Sequence, residues 1–104
     1  MTESQLEAAL VRYARAKGIL TYKFSSPAHR GVPDRIFIHQ GRVLFLELKR
    51  PGNVPTKLQE HVMAEMCEAG ANCLWTSDLD MAKTILDNLA HHGNIHTLRG
   101  PAAG

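Results

Sequence analysis

The chain has 104 residues, 44% of them hydrophobic, with 12 Lys and Arg against 10 Asp and Glu. That length supports one domain with one core, and the lack of any run of about 18 apolar residues excludes a membrane-spanning helix. The mildly basic balance permits nucleic-acid binding without by itself pointing to it.

The N-terminus enters a charged amphipathic pattern with no apolar signal-peptide core, so a cytoplasmic location is expected. Leu6, Ala9, Leu10, Tyr13 and Ala14 recur at helical spacing. Either Thr2 with Gln5 or Ser4 with Glu7 has the spacing of a capping box, and Gly18 suits the residue after the last turn. Leu20 to Ser25 alternates as a first strand, with Leu20, Tyr22 and Phe24 on one face. A loop to Pro33 follows, holding two prolines, Gly31, His29 and Arg30.

Arg35 to His39 reads as a second strand, Gln40-Gly41 as a tight hairpin turn, and Val43 to Arg50 as a third strand. Val43, Phe45, Glu47 and Lys49 share one face of the third strand; Leu44, Leu46 and Leu48 share the other. Apolar residues on both faces suit a central strand whose charged end opens onto a cleft. Pro51-Gly52 stops it. Thr56 with Gln59 has capping-box spacing ahead of a helix striped by Leu58, Val62, Met66 and Ala69, and Gly70 ends that helix. Asn72 to Thr76, with Trp75, is a fourth strand. Ser77 or Asp78 caps a last helix whose apolar side is Leu79, Ala82, Ile85, Leu86 and Leu89. Periodicity ends after Gly93. The expected organisation is one domain over 1–93 and a weakly ordered tail over 94–104. Cys67 and Cys73 fall in a helical and a strand pattern without zinc-type partner spacing, so two reduced buried thiols are expected.

A turn at Gln40 and Gly41 pairs the second and third strands so that Asp34 lies opposite Glu47. Two facing carboxylates repel unless a cation lies between them. Oxygen ligands of this kind select Mg²⁺ or Mn²⁺, which makes an anionic phosphodiester easier to attack and its alkoxide easier to expel. Lys49 shares the face of Glu47. Its ammonium could orient and deprotonate an attacking water or offset charge on the phosphate, whereas an isolated Glu-x-Lys on a strand is more often a plain surface ion pair. Glu7, at the margin of the first helix's buried stripe, is either a third carboxylate of the site or the capping partner of Ser4, with Glu3 a less suitable substitute. Gln59 either caps its own helix or reaches toward the site. His29, Arg30, Arg35, Arg50 and Lys57 adjoin the cleft and Lys23 flanks it, so they are candidate phosphate contacts.

Gly31-Val32-Pro33-Asp34-Arg35, then Gly41-Arg42-Val43-Leu44-Phe45-Leu46-Glu47-Leu48-Lys49, then Gln59, closely resembles the virus-type replication–repair nuclease (VRR-NUC) family of the PD-(D/E)xK superfamily, from about Glu3 to Trp75. The resemblance implies an α/β, restriction-endonuclease-like PD-(D/E)xK core. Its order would be α-β-β-β-α-β-α, with a mixed central sheet flanked by helices. It implies Asp34 and Glu47 as metal-binding acids, the Leu48 carbonyl as a further ligand, Lys49 as the catalytic lysine, and Gln59 and Glu7 as site residues, Glu7 also as a ligand. Stand-alone members resemble phage and prophage homodimers that cut four-way (Holliday) DNA junctions, and a C₂ dimer would supply the two symmetric cuts such a junction needs. The expected function is thus a Mg²⁺- or Mn²⁺-dependent, structure-selective DNA endonuclease. The alternatives are a nuclease for flap or ordinary duplex DNA and a non-catalytic nucleic-acid-binding module.

Overall fold

Gln40 and Gly41 both take positive φ, 49° and 81°, the left-handed pair that lets a two-residue hairpin turn match the twist of its strands. In the computed structural model, which describes residues 1–91, this turn joins β2 (Arg35–His39) to β3 (Arg42–Leu48). The other elements are α1 (Glu3–Ala16), β1 (Leu20–Lys23), α2 (Lys57–Glu68), β4 (Cys73–Thr76) and α3 (Leu79–His91), in the element order expected from the sequence. The tail expected over 94–104 lies outside the described residues. No helix among the described residues is long and apolar enough to cross a membrane.

The sheet runs β1-β2-β3-β4, antiparallel across the first two pairings and parallel across the last. A parallel neighbour requires a crossover, and α2 supplies it. β3 therefore has a partner on each side, and Leu44, Leu46 and Leu48 are fully buried on one of its faces. They pack with Leu6, Leu10 and Ala14 of α1 and with Ala82, Ile85, Leu86 and Leu89 of α3. Burying each such leucine contributes roughly 1.5–3 kcal/mol.

The helices start where the sequence says they should. The Thr2 hydroxyl accepts from the Gln5 N–H at 3.1 Å, while Gln5 Oε1 accepts from the Thr2 N–H at 2.8 Å. The box thus forms on Thr2 and leaves Glu7 out of the cap. Thr56 and Gln59 repeat the arrangement at 3.1 and 2.9 Å. Asp78, not Ser77, caps α3 by accepting from the Asp80 N–H at 3.2 Å.

The second face of the sheet is covered only in part. α2 lies over the β3–β4 half, where the Cys67 thiol donates to the Cys73 carbonyl at 3.4 Å. Both thiols are free, and burial pushes that of Cys73 up to about 12, leaving it unreactive at neutral pH. Val62 and Met63 are the buried residues of α2, whereas Leu58, placed on the buried stripe by its spacing, is 48% exposed. Leu20 and Tyr22 share a face as expected, but it is the outer one: they are 48% and 59% exposed, and Thr21 points inward.

Gly31 fixes the loop ahead of β2 against α2. It has φ +92°, and a Cβ there would lie 3.0 Å from Leu58 Cγ and from Val62 Cγ2, and 3.2 Å from the Leu58 carbonyl oxygen. Gly52 has φ +94° but open space around it. Gly31→Ala should therefore cost about 1–3 kcal/mol of stability from backbone strain, and more than Gly52→Ala because a helix backbone must also give way. Urea denaturation of the two variants checks the difference.

Candidate active site

The β2–β3 register pairs Arg35 with Leu46 and Ile36 with Phe45. Extended by one position it sets Asp34 opposite Glu47. Both acids belong to the face that α2 half covers, together with Phe45 and Lys49, as strand alternation requires. Glu47 is 1% exposed and Asp34 is half-buried.

Each acid has one anchored oxygen. Asp34 Oδ2 accepts from the Leu48 N–H at 3.3 Å. Glu47 Oε2 accepts from Gln59 Nε2 at 3.1 Å and lies 3.4 Å from Lys49 Nζ, itself 14% exposed. Glu47 Oε1 is buried and accepts no hydrogen bond. A carboxylate oxygen removed from water without a partner is costly, and a cation bound there would satisfy it. The donor set therefore fits a hard divalent ion. Among the described residues no group of three or more His, Cys, Asp and Glu side chains forms a metal-binding cluster, so the side-chain donors here are these two acids.

Burial pushes the Glu47 carboxyl up to about 7, and the negative charge of Asp34 adds to it, with Lys49 opposing. Asp34 also titrates above its ordinary value, first because of burial, with the Leu48 N–H pulling the other way.

Gln59 occupies both of the positions the sequence left as alternatives. Its carbonyl oxygen completes the α2 cap and its amide nitrogen holds Glu47. A planar amide has an acceptor and a donor end, so one side chain joins helix start to site.

Glu7 stands differently. Its Oε2 lies 2.8 Å from Arg35 Nη1 and 3.4 Å from Lys23 Nζ. Burial works to raise its pKa, but the Arg35 hydrogen bond and the Lys23 charge outweigh it, and the carboxyl titrates below its ordinary value. Its direct partners are thus two cations on the α1 side of the sheet, while its negative charge also helps to raise Asp34. Arg35 needs a corresponding correction as a phosphate contact. It is 9% exposed, on the face opposite Asp34, and committed to Glu7 and, through Nε at 3.1 Å, to the Thr21 hydroxyl. Lys23, His29, Arg30, Arg50 and Lys57 are exposed and available to a polyanion.

Two aromatic residues flank the acids without having been singled out. Trp75 pairs with Glu47 in the β3–β4 register. The Phe24 N–H donates to the Asp34 carbonyl at 2.7 Å, and its ring meets Phe45 edge-on at 5.1 Å. Alternation along β1 already puts Phe24 on this face. The position of Trp75 depends on a parallel pairing that no local turn sets.

Two known proteins are similar to this chain in sequence or in fold. A phage protein named "Putative nuclease p44", from Acyrthosiphon pisum secondary endosymbiont phage 1, is 34% identical over 84 residues, 80% of this chain and 90% of the phage protein. A solved structure of a VRR_NUC domain has the same fold, with a TM-score of 0.75 at 21% identity, covering 88% of this chain and 99% of that one. No protein-family model matches the chain.

The raised Glu47 pKa sets a stability profile for the metal-free protein. Between its ordinary value of 4.5 and about 7, the folded state keeps a proton that the unfolded state has released. Stability should therefore fall as pH rises through that window, by roughly 3 kcal/mol in all, and level off above it. Chemical denaturation from pH 4.5 to 8 in a chelator should show this fall in the wild type and a flatter profile in Glu47→Gln.

Proposed function

Because the chain belongs to the VRR-NUC family, we propose that it hydrolyses DNA phosphodiester bonds as a metal-dependent endonuclease. The observation that carries this reading is the buried, unpartnered Oε1 of Glu47 beside Asp34. The likeness in sequence to a phage protein named as a nuclease, and in fold to a VRR_NUC domain, supports it.

Asp34, Glu47 and the Leu48 carbonyl are the residues that would hold Mg²⁺ or Mn²⁺. When bound, such an ion polarises the phosphate and makes water a stronger nucleophile at neutral pH. Lys49 stays close to Glu47 through its ion pair, on the face the phosphate must approach. From there its ammonium can orient an attacking water or offset charge developing on phosphate oxygens. Gln59 fixes the Glu47 carboxylate so that its free oxygen keeps one direction. We assign Glu7 a supporting part: held ionised by Arg35 and Lys23, it ties α1 to the start of β2 next to Asp34. Exposed Arg30, Lys23, Lys57, Arg50 and His29 supply sequence-independent phosphate contacts.

At the finer level the proposed substrate is branched DNA, a four-way junction above all, cut by a homodimer inside the host cell. One chain provides one site, and two cuts related by a two-fold axis call for two chains.

A panel of synthetic junction, flap, nicked and linear duplexes with Mg²⁺ or Mn²⁺ tests the reading, with light scattering to give the oligomeric state. We expect metal-dependent cleavage with preference for the junction, and loss of rate on the order of 10²–10⁴-fold in Lys49→Ala. Cleavage that survives Lys49→Ala unchanged would sink the assignment. Asp34→Ala should abolish divalent-ion binding seen by calorimetry while the protein stays folded. Gln59→Glu keeps the capping box but loses the donor to Glu47. It should leave helicity unchanged and lower cleavage by about 10- to 100-fold, the range for a hydrogen bond to a charged group.

A further inference from the structure

We propose that Val54, carried on the loop between Lys49 and α2, is a wedge that meets the open face of a base pair at the branch point of the substrate DNA. The inference rests on the nuclease reading and adds to it a residue that tells a junction from plain duplex.

The loop is held at both ends. The Asn53 N–H donates to the Arg50 carbonyl at 3.0 Å, closing a turn with Pro51 and Gly52 at its centre. Gly52 takes φ +94°, the left-handed value that a Pro-Gly turn requires at its third position. On the other side Pro55 is buried and Thr56 begins the α2 cap. Val54 stands between these anchors and is 66% exposed. A β-branched side chain has little χ1 freedom, so Val54 is a stiff apolar projection. Leu58, in the first turn of α2, is 48% exposed and lies against Gly31.

The projection stands at the mouth of the site. Gln59 Oε1 accepts from the Thr56 N–H at 2.9 Å, and Gln59 Nε2 donates to Glu47 at 3.1 Å. Val54 comes two residues before Thr56, at most about 7 Å away. Its loop starts at Lys49, which is 3.4 Å from the same Glu47 oxygen. A folded protein seated on Val54 would obstruct the acids, so the occupant is the substrate itself.

Charge agrees. Loop 25–33 and residues 50–57 carry Arg30, Arg50 and Lys57, all exposed. Among the described residues their side chains have no ion pair or hydrogen bond. By contrast, Lys17, Lys23, Arg35 and Arg42 are engaged by partners on α1 and α3, and Arg12 and Arg15 lie on α1 itself. Neither segment beside the site contains an Asp or Glu, and the next acid along α2 is Glu60. Phosphates of the DNA arms therefore meet free cations around Val54. A four-way junction keeps its bases paired, yet the stacks end at its centre and the apolar faces of the last pairs can open there. An apolar wedge gains by covering such a face, whereas in uninterrupted duplex a step must first be unstacked.

The test uses a four-way junction with the fluorescent base 2-aminopurine in a pair at the branch point, and a linear duplex with the same base at mid-length. Both are studied in chelator so that no cleavage intervenes. Emission of 2-aminopurine rises when an aliphatic group replaces a stacked neighbour. The wild type should raise the emission of the junction and not of the duplex. Val54→Asn should lose that rise and weaken junction binding about tenfold relative to duplex, the scale of one apolar side chain withdrawn from water. Val54→Leu should keep both, and Leu20→Asn, at the end of β1 away from the acids, should match the wild type. Lys57→Ala should weaken junction and duplex alike and reduce the salt dependence. If Val54→Asn keeps the wild-type emission and binding, the wedge is overturned. It is also overturned by a wild-type dimer that Val54→Asn converts to monomers, which would make the loop a self-association surface. If the wild type shows Lys49-dependent cleavage while Val54→Asn cuts junctions equally well, only the wedge fails. If no substrate is cut but the Val54-dependent emission change persists, the nuclease reading fails and the wedge stands.

Discussion

Glu47 at 1% exposure faces half-buried Asp34, and the hairpin register gives the two carboxylates no way to separate. The arrangement is unfavourable by itself, since both charges have lost water and they repel. What imposes it is the opposite face of the same strand. Leu44, Leu46 and Leu48 are each fully buried, and together they contribute several kcal/mol. A slip of one residue would turn all three outward and put Glu47 into the leucine core. The strain in Glu47, with its carboxyl pushed up to about 7, corresponds to roughly 3 kcal/mol. Core burial exceeds that cost, so the core dictates the register and the register dictates the site.

The relief available to the acids is incomplete in an informative way. Gln59, Lys49 and the Leu48 N–H satisfy one oxygen on each side chain. All of these donors are already in place without a cation, and Glu47 Oε1 still has no partner. The cation of the proposed function would meet that oxygen and offset the repulsion between the two acids.

Much of this was legible in the sequence because short-range rules govern it. Gln40-Gly41 fixed the hairpin, the hairpin fixed Asp34 against Glu47, and the Thr56–Gln59 spacing fixed the start of α2. Alternation assigned Leu20, Tyr22 and Phe24 to one face, but it cannot say which face a helix will cover. For that reason the exposure of Tyr22, and of Leu58 on α2, emerged only from the packing. The Glu7–Arg35 pair links positions 28 residues apart and depends on how α1 crosses the sheet, so neither partner's role could be read locally. Gln59 posed a choice that proved unnecessary, because spacing counts residues and does not count the two ends of an amide. Trp75 reaches Glu47 through a parallel crossover, the pairing least determined by nearby sequence.

One asymmetry follows from these placements. The same face carries the acids, a helix over one half and bare strands over the other. α2 cannot move onto the bare half without withdrawing Gln59 from Glu47, and the loop before β2 is held to α2 by the close approach at Gly31. The open side is therefore a fixed property of the fold rather than a gap left by a mobile lid. Lys49, 14% exposed and 3.4 Å from Glu47 Oε2, lies on this face just past the end of β3.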